Sequence, residues 1–205
     1  MVKPFGYAIA LTGSIATGKS MVATIFKAWG FDIIDADSIA HTILDTQRDT
    51  IAKMFGADLV QQDKIDRKAL GAIVFADTKK RKKLEALLHP LIYKHIEHLA
   101  IELDKKKEPY LVDIPLFFEN KSYPIKRVIV VYTPKAIQLE RLIKRDNSSQ
   151  IDAQKRIDTQ ISIEEKRTYA TYLIDNSSTV EALEKSCVFV KEAIVKEAIE
   201  KGTIK

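Results

Sequence analysis

Hydrophobic and polar positions follow two kinds of pattern along the chain. Short, mainly apolar runs predict buried β-strands at residues 7–12, 31–34, 110–114, 127–132 and 172–174. Between these runs, apolar residues recur every three or four positions, which predicts amphipathic helices. Strands that alternate with helices are typical of a mostly parallel sheet covered on both faces. We therefore expect an α/β fold around a parallel five-stranded sheet.

One long stretch of the chain carries no strand pattern. Residues 38–108 are predicted to be almost wholly helical. Breaks between helices are expected near Gly56, at Asp77 and at His89-Pro90. Because this stretch separates the second predicted strand from the third, we interpret it as a helical insertion.

Two further helices are predicted in the second half of the chain. Thr133-Pro134 is a suitable pair to begin a helix after the fourth strand, since threonine caps helices and proline fits the first turn. The last helix is predicted over residues 178–200. Its apolar stripe includes Cys187, so we expect a buried, inert thiol rather than a nucleophile.

Composition narrows the class of protein. The chain has 205 residues, of which 46% are hydrophobic and 30% charged, enough for one folded α/β domain. No run of 18 apolar residues is present, so we expect no membrane span. The residues before the first strand leave no room for a secretory signal. Together with the single cysteine, this favours the reducing cytoplasm.

The net charge of +5 lies in the middle of the chain. Basic minus acidic residues give 10 − 6 = +4 for residues 51–100 and 10 − 7 = +3 for residues 101–150. Such a balance suits a partner that bears phosphate. The densest run, Lys-Lys-Arg-Lys-Lys at residues 79–83, would suit a nucleic acid, but leucines continue at helical spacing after it. A solvated helix face is therefore the favoured interpretation.

The loop after the first strand carries the most specific motif. Residues 13–20 match GxxxxGK[ST], between a predicted strand and a predicted helix. Gly13 and Gly18 let the backbone bend so that its N–H groups point at phosphate oxygens, and the helix N-terminus adds its positive dipole end. Lys19 can reach the β- and γ-phosphates, and the Ser20 hydroxyl can bind Mg²⁺. We predict a P-loop.

The class of P-loop protein can be narrowed by what is absent. A signalling GTPase needs a DxxG motif, and the sequence contains none. It also needs Asn-Lys-x-Asp, whereas Asn120-Lys121 is followed by serine and tyrosine. The chain is too short for a large ATP-driven motor. A small kinase fits best.

Carboxylates follow the second strand at Asp35-Ala36-Asp37. Because ligands gather at the carboxyl ends of parallel strands, we expect these groups to face the P-loop. Phosphoryl transfer to an alcohol needs a carboxylate that orients the hydroxyl and accepts its proton. We favour Asp37 for this role and Asp35 for support; the alternative is that one of them caps the next helix. Asp113, late in the third strand, either binds Mg²⁺ through water or is structural.

Basic residues follow the fourth strand. Arg141 and Arg145 are four positions apart and share one helix face. With Lys144, Arg156 and Gln160 they resemble the lid of small kinases, where guanidinium groups neutralise the charge of the transferred phosphoryl group. The alternative is that the arginines form surface salt bridges with nearby carboxylates, Glu140 or Asp146.

In this order the motifs resemble those of the dephospho-coenzyme A kinase family, from about residue 9 to residue 190. The matching segments are Leu11-Thr12-Gly13 with the P-loop, Ile34-Asp35-Ala36-Asp37, Asp66-Arg67-Lys68-Ala69-Leu70-Gly71 with Val74-Phe75, His89-Pro90-Leu91-Ile92, Pro115-Leu116-Phe117-Phe118-Glu119, Gln138 with Arg141 and Arg145-Asp146, Arg156-Ile157 with Gln160, and Ile174-Asp175-Asn176.

The resemblance implies a cytoplasmic enzyme that uses ATP and Mg²⁺ to phosphorylate the ribose 3′-hydroxyl of dephospho-coenzyme A, with no membrane or nucleic-acid partner, as a monomer or small homo-oligomer. It implies a three-layer P-loop NTP hydrolase-like fold, with a core (1–37, 108–135 and 170–205), a helical acceptor-binding insertion (about 38–107) and a lid (about 136–169). The alternatives are another small-molecule or nucleoside monophosphate kinase, or, in a different class, a basic P-loop module that binds nucleic acid.

The resemblance also implies roles for individual residues. Catalytic roles are expected for Lys19, Asp37 and Arg141. Contacts with ATP are expected for Gly13, Ser14, Ile15, Ala16, Thr17, Gly18, Lys19, Ser20, Met21, Arg145 and Asn176. Contacts with the acceptor are expected for Asp35, Asp37, Arg67, His89, Pro115, Leu116 and Glu119. Mg²⁺ is expected on Ser20, with Asp113 as a further candidate through water.

Two positions depart from the family pattern. Ser14 replaces the usual second glycine of the loop, at a position that tolerates variation. Ala170-Thr171 stands where an alanine-aspartate pair is common, so no role can be carried over for that aspartate.

Overall fold

The strands form a five-stranded sheet and a small hairpin, as seen in a computed structural model that describes residues 3–120 and 122–200. Contacts divide the chain into two units, one with the residues up to Ile34 and from Leu99 onward, the other with Asp35–His98. In chain order the elements are β1 (Ala8–Gly13), α1 (Lys19–Ala28), β2 (Ile33–Asp35), α2 (Ala36–Thr46), α3 (Arg48–Phe55), a 3₁₀ turn (Ala57–Leu59), β3 (Val60–Gln61), β4 (Lys64–Ile65), α4 (Arg67–Ala76), α5 (Thr78–Asp104), β5 (Tyr110–Asp113), α6 (Phe117–Asn120), β6 (Arg127–Tyr132), α7 (Lys135–Asp146), α8 (Gln150–Asp158), α9 (Ile163–Thr168), β7 (Tyr172–Asp175) and α10 (Val180–Glu200).

The sheet has the strand order β2-β5-β1-β6-β7. The strand β1 lies at its centre and pairs in parallel with β5 on one side and β6 on the other. The registers place Leu11 beside Asp113 and Thr12 beside Val130. All five strands predicted from apolar runs are present, and the predicted α/β fold around a parallel sheet is confirmed.

The centre of the sheet is buried on both faces. Every residue of β1 is buried, as expected for a strand between two covering layers. Side chains alternate between the faces. Ile9 and Leu11, on one face, belong to a cluster with Val22 and Phe26 of α1 and with a stripe of α10 (Leu183, Cys187, Val190 and Ile194). Ala8 and Ala10, on the other face, are buried as well. The predicted three-layer arrangement follows from this.

The second unit has a hydrophobic core of its own. Its buried residues come from the helices and the hairpin of that unit: Leu44, Ile51, Leu59, Ile65, Leu70, Val74 and Leu88. The predicted helix breaks at Gly56 and Asp77 are confirmed, since α3 ends at Phe55 and α4 at Ala76.

Two predictions for this stretch were wrong. Residues 60–65 form the β3–β4 hairpin rather than helix, and the turn residues Gln62 and Asp63 have φ of 49° and 61°. A hairpin turn without glycine or asparagine gave the sequence no turn signal. The second error is the break at His89-Pro90, because α5 continues through Pro90. Proline removes one backbone donor, which a helix of 27 residues tolerates here.

The beginning of α7 also differs from its prediction. Pro134 occupies the N-cap position, no side chain caps the helix, and Thr133 lies before it. The hydroxyl of Thr133 is buried instead, 3.2 Å from the carbonyl oxygen of Thr17. The burial predicted for Cys187 is confirmed, since the residue is fully buried on the inner face of α10. In the described part of the chain, no helix combines the length and apolar character needed to cross a bilayer.

Candidate active site

The P-loop joins the end of β1 to the beginning of α1. Gly18 stands at the N-cap of α1 in the left-handed region, with φ of 86°. The loop turns on itself through Ser14, whose carbonyl oxygen accepts hydrogen bonds from the backbone N–H and the hydroxyl of Thr17 at 3.3 and 2.9 Å. No side chain caps α1. Because the first N–H groups of a helix have no acceptor within it, this end of α1 is suited to bind an anion.

Both glycines of the motif are required by close contacts. A Cβ atom on Gly18 would lie 2.2 Å from Nδ2 of Asn176, and one on Gly13 would lie 2.6 Å from the hydroxyl oxygen of Thr17. Gly18 is therefore fixed by backbone conformation and by space. Gly13 does not have a positive φ, so the lack of room for a Cβ atom is by itself the reason for glycine at this position.

Residues just after β6 and β7 contact the end of the loop. Nδ2 of Asn176 donates to the carbonyl oxygen of Thr17 at 2.8 Å. The guanidinium group of Arg141 donates to the hydroxyl oxygen of Thr133 at 3.4 Å. Asn176 thus bonds directly to a carbonyl of the P-loop, and Arg141 bonds to Thr133, whose hydroxyl lies 3.2 Å from the same carbonyl.

The ammonium group of Lys19 binds the carboxylate of Asp113. Asp113 is buried, and its charge is balanced by this contact. The two alternatives given for Asp113 from the sequence were water-mediated Mg²⁺ binding and a structural role. Its contact with the P-loop lysine gives it a position at the site under either alternative.

Sequence reasoning missed a buried lysine beneath the loop. Lys166, on α9, is fully buried, and its Nζ donates to the carbonyl oxygen of Gly13 at 3.0 Å. The same Nζ lies 2.8 Å from Oε1 of Glu119. The local sequence, Glu-Glu-Lys-Arg, is typical of a solvent-exposed helix, so no pattern marked Lys166 as buried.

The residues just before α9 also contact the P-loop. Oε1 of Gln160, which was assigned to the lid from the sequence, accepts a hydrogen bond from the backbone N–H of Ile15 at 2.8 Å. The hydroxyl of Ser14 donates to the carbonyl oxygen of Ile161 at 3.5 Å, and the N–H of Ile161 donates to Glu119 at 3.1 Å.

Two of the arginines predicted to form a lid share one carboxylate. Arg145 and Arg156 both bind the carboxylate of Asp146. Hydrogen bonds from Arg145, and then from Arg156, hold the pKa of Asp146 well below its usual range. The salt bridge named as the alternative is therefore the contact that Arg145 makes. Its expected contact with ATP stays a prediction.

Four predicted site residues belong to the second unit. Asp35 caps α2, because its Oδ1 accepts from the backbone N–H of Ser38 at 3.0 Å. Asp37, in the first turn of the same helix, is exposed. Arg67 begins α4, with Nη2 3.7 Å from Oδ2 of Asp45. His89 is exposed on α5.

The remaining acceptor candidates follow β5. The carbonyl oxygen of Pro115 accepts a hydrogen bond from the hydroxyl of Thr12 at 3.0 Å, which joins this segment to β1. Leu116 is exposed, and Glu119 faces Lys166 as described above. Within residues 3–120 and 122–200, no group of three or more His, Cys, Asp or Glu side chains could hold a metal ion by itself.

Comparisons with known proteins give a consistent result. A family model described as dephospho-CoA kinase matches residues 7–182. A dephospho-CoA kinase of Sulfurimonas denitrificans is 46% identical over 197 residues, which is 96% of this chain and 98% of the relative. One of Helicobacter pylori is 47% identical over 181 residues, or 87% and 92% of the two chains. The solved structure of the dephospho-CoA kinase from Campylobacter jejuni aligns with a TM-score of 0.69 at 39% identity, covering 92% of this chain and 97% of that one.

Proposed function

Because the chain belongs to the dephospho-CoA kinase family, we propose that it transfers the γ-phosphoryl group of ATP to the ribose 3′-hydroxyl of dephospho-CoA. It is a transferase of coenzyme A biosynthesis that phosphorylates dephospho-CoA with ATP. The observation that carries the proposal is the P-loop between β1 and α1, with Gly18 in the left-handed region and no side chain capping the helix.

ATP is assigned to this loop. Bound phosphates would lie against the N-terminus of α1, where the helix dipole and the backbone N–H groups favour negative charge. The contacts proposed for the nucleotide are those of the loop and its neighbours: Gly13, Ser14, Ile15, Ala16, Thr17, Gly18, Lys19, Ser20, Met21, Arg145 and Asn176. When ATP binds, the ammonium group of Lys19 would leave Asp113, bind the phosphates and neutralise part of their charge.

Asp37 is proposed as the general base. It accepts the proton of the 3′-hydroxyl while the oxygen of that hydroxyl forms a bond to the γ-phosphorus and the bond to the bridging oxygen of ADP breaks. Two observations support this choice over Asp35. The carboxylate of Asp35 is engaged in capping α2, whereas the carboxylate of Asp37 is exposed in the first turn.

Arg141 is proposed to stabilise the charge that develops on the transferred group. Its guanidinium group is anchored by one hydrogen bond to Thr133, beside the carbonyl of Thr17, and retains further donors for phosphate oxygens. The proposed lid, residues 136–169, contains this arginine.

The acceptor is assigned to the helical insertion, residues 38–107, and to the segment after β5. The side chains proposed to hold it are Asp35, Asp37, Arg67, His89, Pro115, Leu116 and Glu119. The salt bridge of Arg67 to Asp45 is long, at 3.7 Å, and both partners keep some exposure. An exposed guanidinium group of this kind suits the phosphate groups of dephospho-CoA.

Mg²⁺ is proposed to bind together with the nucleotide. Protein sites for this ion supply one or two oxygens, and water and phosphates supply the rest. The exposed hydroxyl of Ser20 fits such a site, and Asp113 would contribute through water once Lys19 has left it. When bound, the ion would neutralise charge on the β- and γ-phosphates.

We also propose a cytoplasmic location and a monomer or small homo-oligomer. The single cysteine, buried in the core, supports a reducing compartment. Light scattering of the purified protein at several concentrations would give its oligomeric state.

The substrate is tested by an assay of ADP release with Mg-ATP and four acceptors. We expect dephospho-CoA to be consumed far faster than AMP, UMP or shikimate. Mass spectrometry of the product, after digestion with a 3′-nucleotidase, identifies the hydroxyl that was phosphorylated. A preference for any of the other three acceptors would refute the proposal.

A further inference from the structure

Lys166 is the one fully buried lysine of the described residues, and it lies beneath the P-loop. A buried ammonium group is costly unless it is paired. Here Nζ of Lys166 is 2.8 Å from Oε1 of Glu119 and donates to the carbonyl oxygen of Gly13 at 3.0 Å. One charged side chain of α9 is thus bonded to the first peptide group of the nucleotide loop.

The contact with Gly13 fixes the direction of the next amide. The described residues contain no cis peptide bond, so the carbonyl of Gly13 and the N–H of Ser14 point in opposite directions within one plane. A donor that holds the carbonyl on the α9 side therefore turns the N–H of Ser14 away from α9. The hydrogen bond from Lys166 is therefore suited to orient this peptide group.

Glu119 also contacts the segment just before α9. Its Oε1 accepts from Lys166 and from the backbone N–H of Ile161. Gln160 and Ile161 in turn contact Ile15 and Ser14 of the P-loop. The first half of the loop is therefore bonded at three consecutive residues to a segment that Glu119 and Lys166 hold in place.

We propose that Lys166, paired with Glu119, is a positioning residue for phosphoryl transfer. It orients the first peptide groups of the P-loop and ties their position to residues 160–166, so that the loop is ordered for the phosphates of ATP. The inference rests on the proposed function, within which no role was expected for Lys166.

Three variants separate this role from simple stabilisation. Lys166→Met keeps the length of the side chain and removes the charge, but it leaves the partly buried carboxylate of Glu119 without its cation. The double variant Lys166→Met with Glu119→Gln removes both charges, while the amide oxygen can still accept from Ile161. Lys166→Arg retains charge and donors. Lys185→Met, at an exposed position of α10, is the matched control.

Binding is measured by calorimetry with ATP, with inorganic tripolyphosphate and with adenosine. We expect the double variant to unfold near the wild-type temperature and to bind ATP and tripolyphosphate about tenfold more weakly, with adenosine unchanged. Its kcat should fall by about 10²-fold, because a small displacement of the phosphates misaligns the reacting groups. Lys166→Arg should recover part of both losses, and Lys185→Met should match the wild type.

The proposal is overturned if the folded double variant binds tripolyphosphate and turns over within twofold of the wild type. It is also overturned if adenosine binding falls by the same factor as tripolyphosphate binding, since that would indicate general damage to the site. Tripolyphosphate binding does not depend on the acceptor. If the wild-type protein failed to phosphorylate dephospho-CoA, the proposed function would be refuted. The measurement of tripolyphosphate binding would still test the role of Lys166.

Discussion

Lys19 and Asp113 form an ion pair that joins the first turn of α1 to the end of β5. The register of the sheet places Asp113 beside Leu11, two residues before the P-loop begins. Phosphate groups in the loop would compete with this carboxylate for the same ammonium group. The pair therefore opposes the binding of a nucleotide that carries no metal.

Asp113→Asn should make this competition measurable. Without metal, the variant should bind ATP about fivefold more tightly, because an ion pair that keeps some exposure contributes about 1 kcal/mol. With Mg²⁺, half-maximal activity should require more metal, since a candidate ligand is lost. Calorimetry in the presence of a chelator and a titration of activity with Mg²⁺ give the two results. Glu192→Gln, at an exposed position of α10, should change neither. Weaker metal-free binding in Asp113→Asn would contradict the account of Lys19.

Asp37→Asn should abolish most of the turnover and leave nucleotide binding intact. The variant retains the shape of the side chain and loses the proton acceptor, so kcat should fall by about 10²- to 10⁴-fold. The dissociation constant of ATP, measured by calorimetry, should stay within twofold. Asp35→Asn is the comparison, because asparagine caps helices as well as aspartate and α2 should keep its stability. Wild-type turnover in Asp37→Asn would remove Asp37 from the role of base.

Arg141→Ala and Arg145→Ala should differ in which step they affect. Arg141 is anchored beside the P-loop, so its removal should lower kcat by about 10²-fold and ATP affinity by much less. Arg145 binds Asp146, and its loss should appear in ATP affinity if it also contacts the nucleotide. Steady-state kinetics and direct binding measurements separate the two. An equal loss of kcat and affinity in Arg141→Ala would indicate a binding role only.

Gly18→Ala should be far more damaging than Gly30→Ala. Both glycines have nearly the same φ, 86° and 88°, so both alanines carry a backbone strain of about 1–2 kcal/mol. A Cβ atom at residue 30 meets no atom within 4 Å, whereas one at residue 18 lies 2.2 Å from Asn176. We expect Gly30→Ala to lose stability alone and Gly18→Ala to lose ATP binding as well. Urea unfolding and calorimetry test this pair, and equal ATP affinity in the two variants would show that the contact with Asn176 is unimportant.

The buried thiol of Cys187 should make stability depend on alkaline pH. Burial, with a smaller effect of Glu184, raises the pKa of this thiol from 9.0 to about 11. The folded chain therefore holds the proton more tightly than the unfolded chain, and the free energy of unfolding falls as pH rises from about 9 towards 11. Urea unfolding at pH 8, 9 and 10 should show a smaller decline in Cys187→Ala. An identical decline in the two proteins would contradict the assignment to Cys187.

The sequence was informative where a pattern has one physical cause. Short, mainly apolar runs such as residues 127–132 are typical of buried strands, and all five predicted strands were found. The GxxxxGK[ST] motif located the phosphate-binding turn because its glycines are required by local geometry. Pro90 was misjudged because a helix of 27 residues tolerates the loss of one hydrogen bond.

The least predictable part of the site is the set of contacts made by distant residues. Lys166 is 153 positions from Gly13, and its neighbours in sequence are polar. Only the packing of α9 against the sheet makes it buried. Thr133 was assigned to a helix cap by a local rule, but its buried hydroxyl lies within hydrogen-bond distance of three carbonyl oxygens, two of them distant in sequence: those of Tyr132, Asn176 and Thr17.

The β3–β4 hairpin turns through Gln62 and Asp63, both in the left-handed region. A turn of this shape favours Asn-Gly, and side chains other than those of glycine, asparagine and aspartate are strained there by about 1–2 kcal/mol. The backbone of Gln62 is therefore strained, at a position for which no catalytic role is proposed. For protein engineering, we expect Gln62→Asn with Asp63→Gly to raise the thermal stability of the kinase without changing any residue proposed for catalysis.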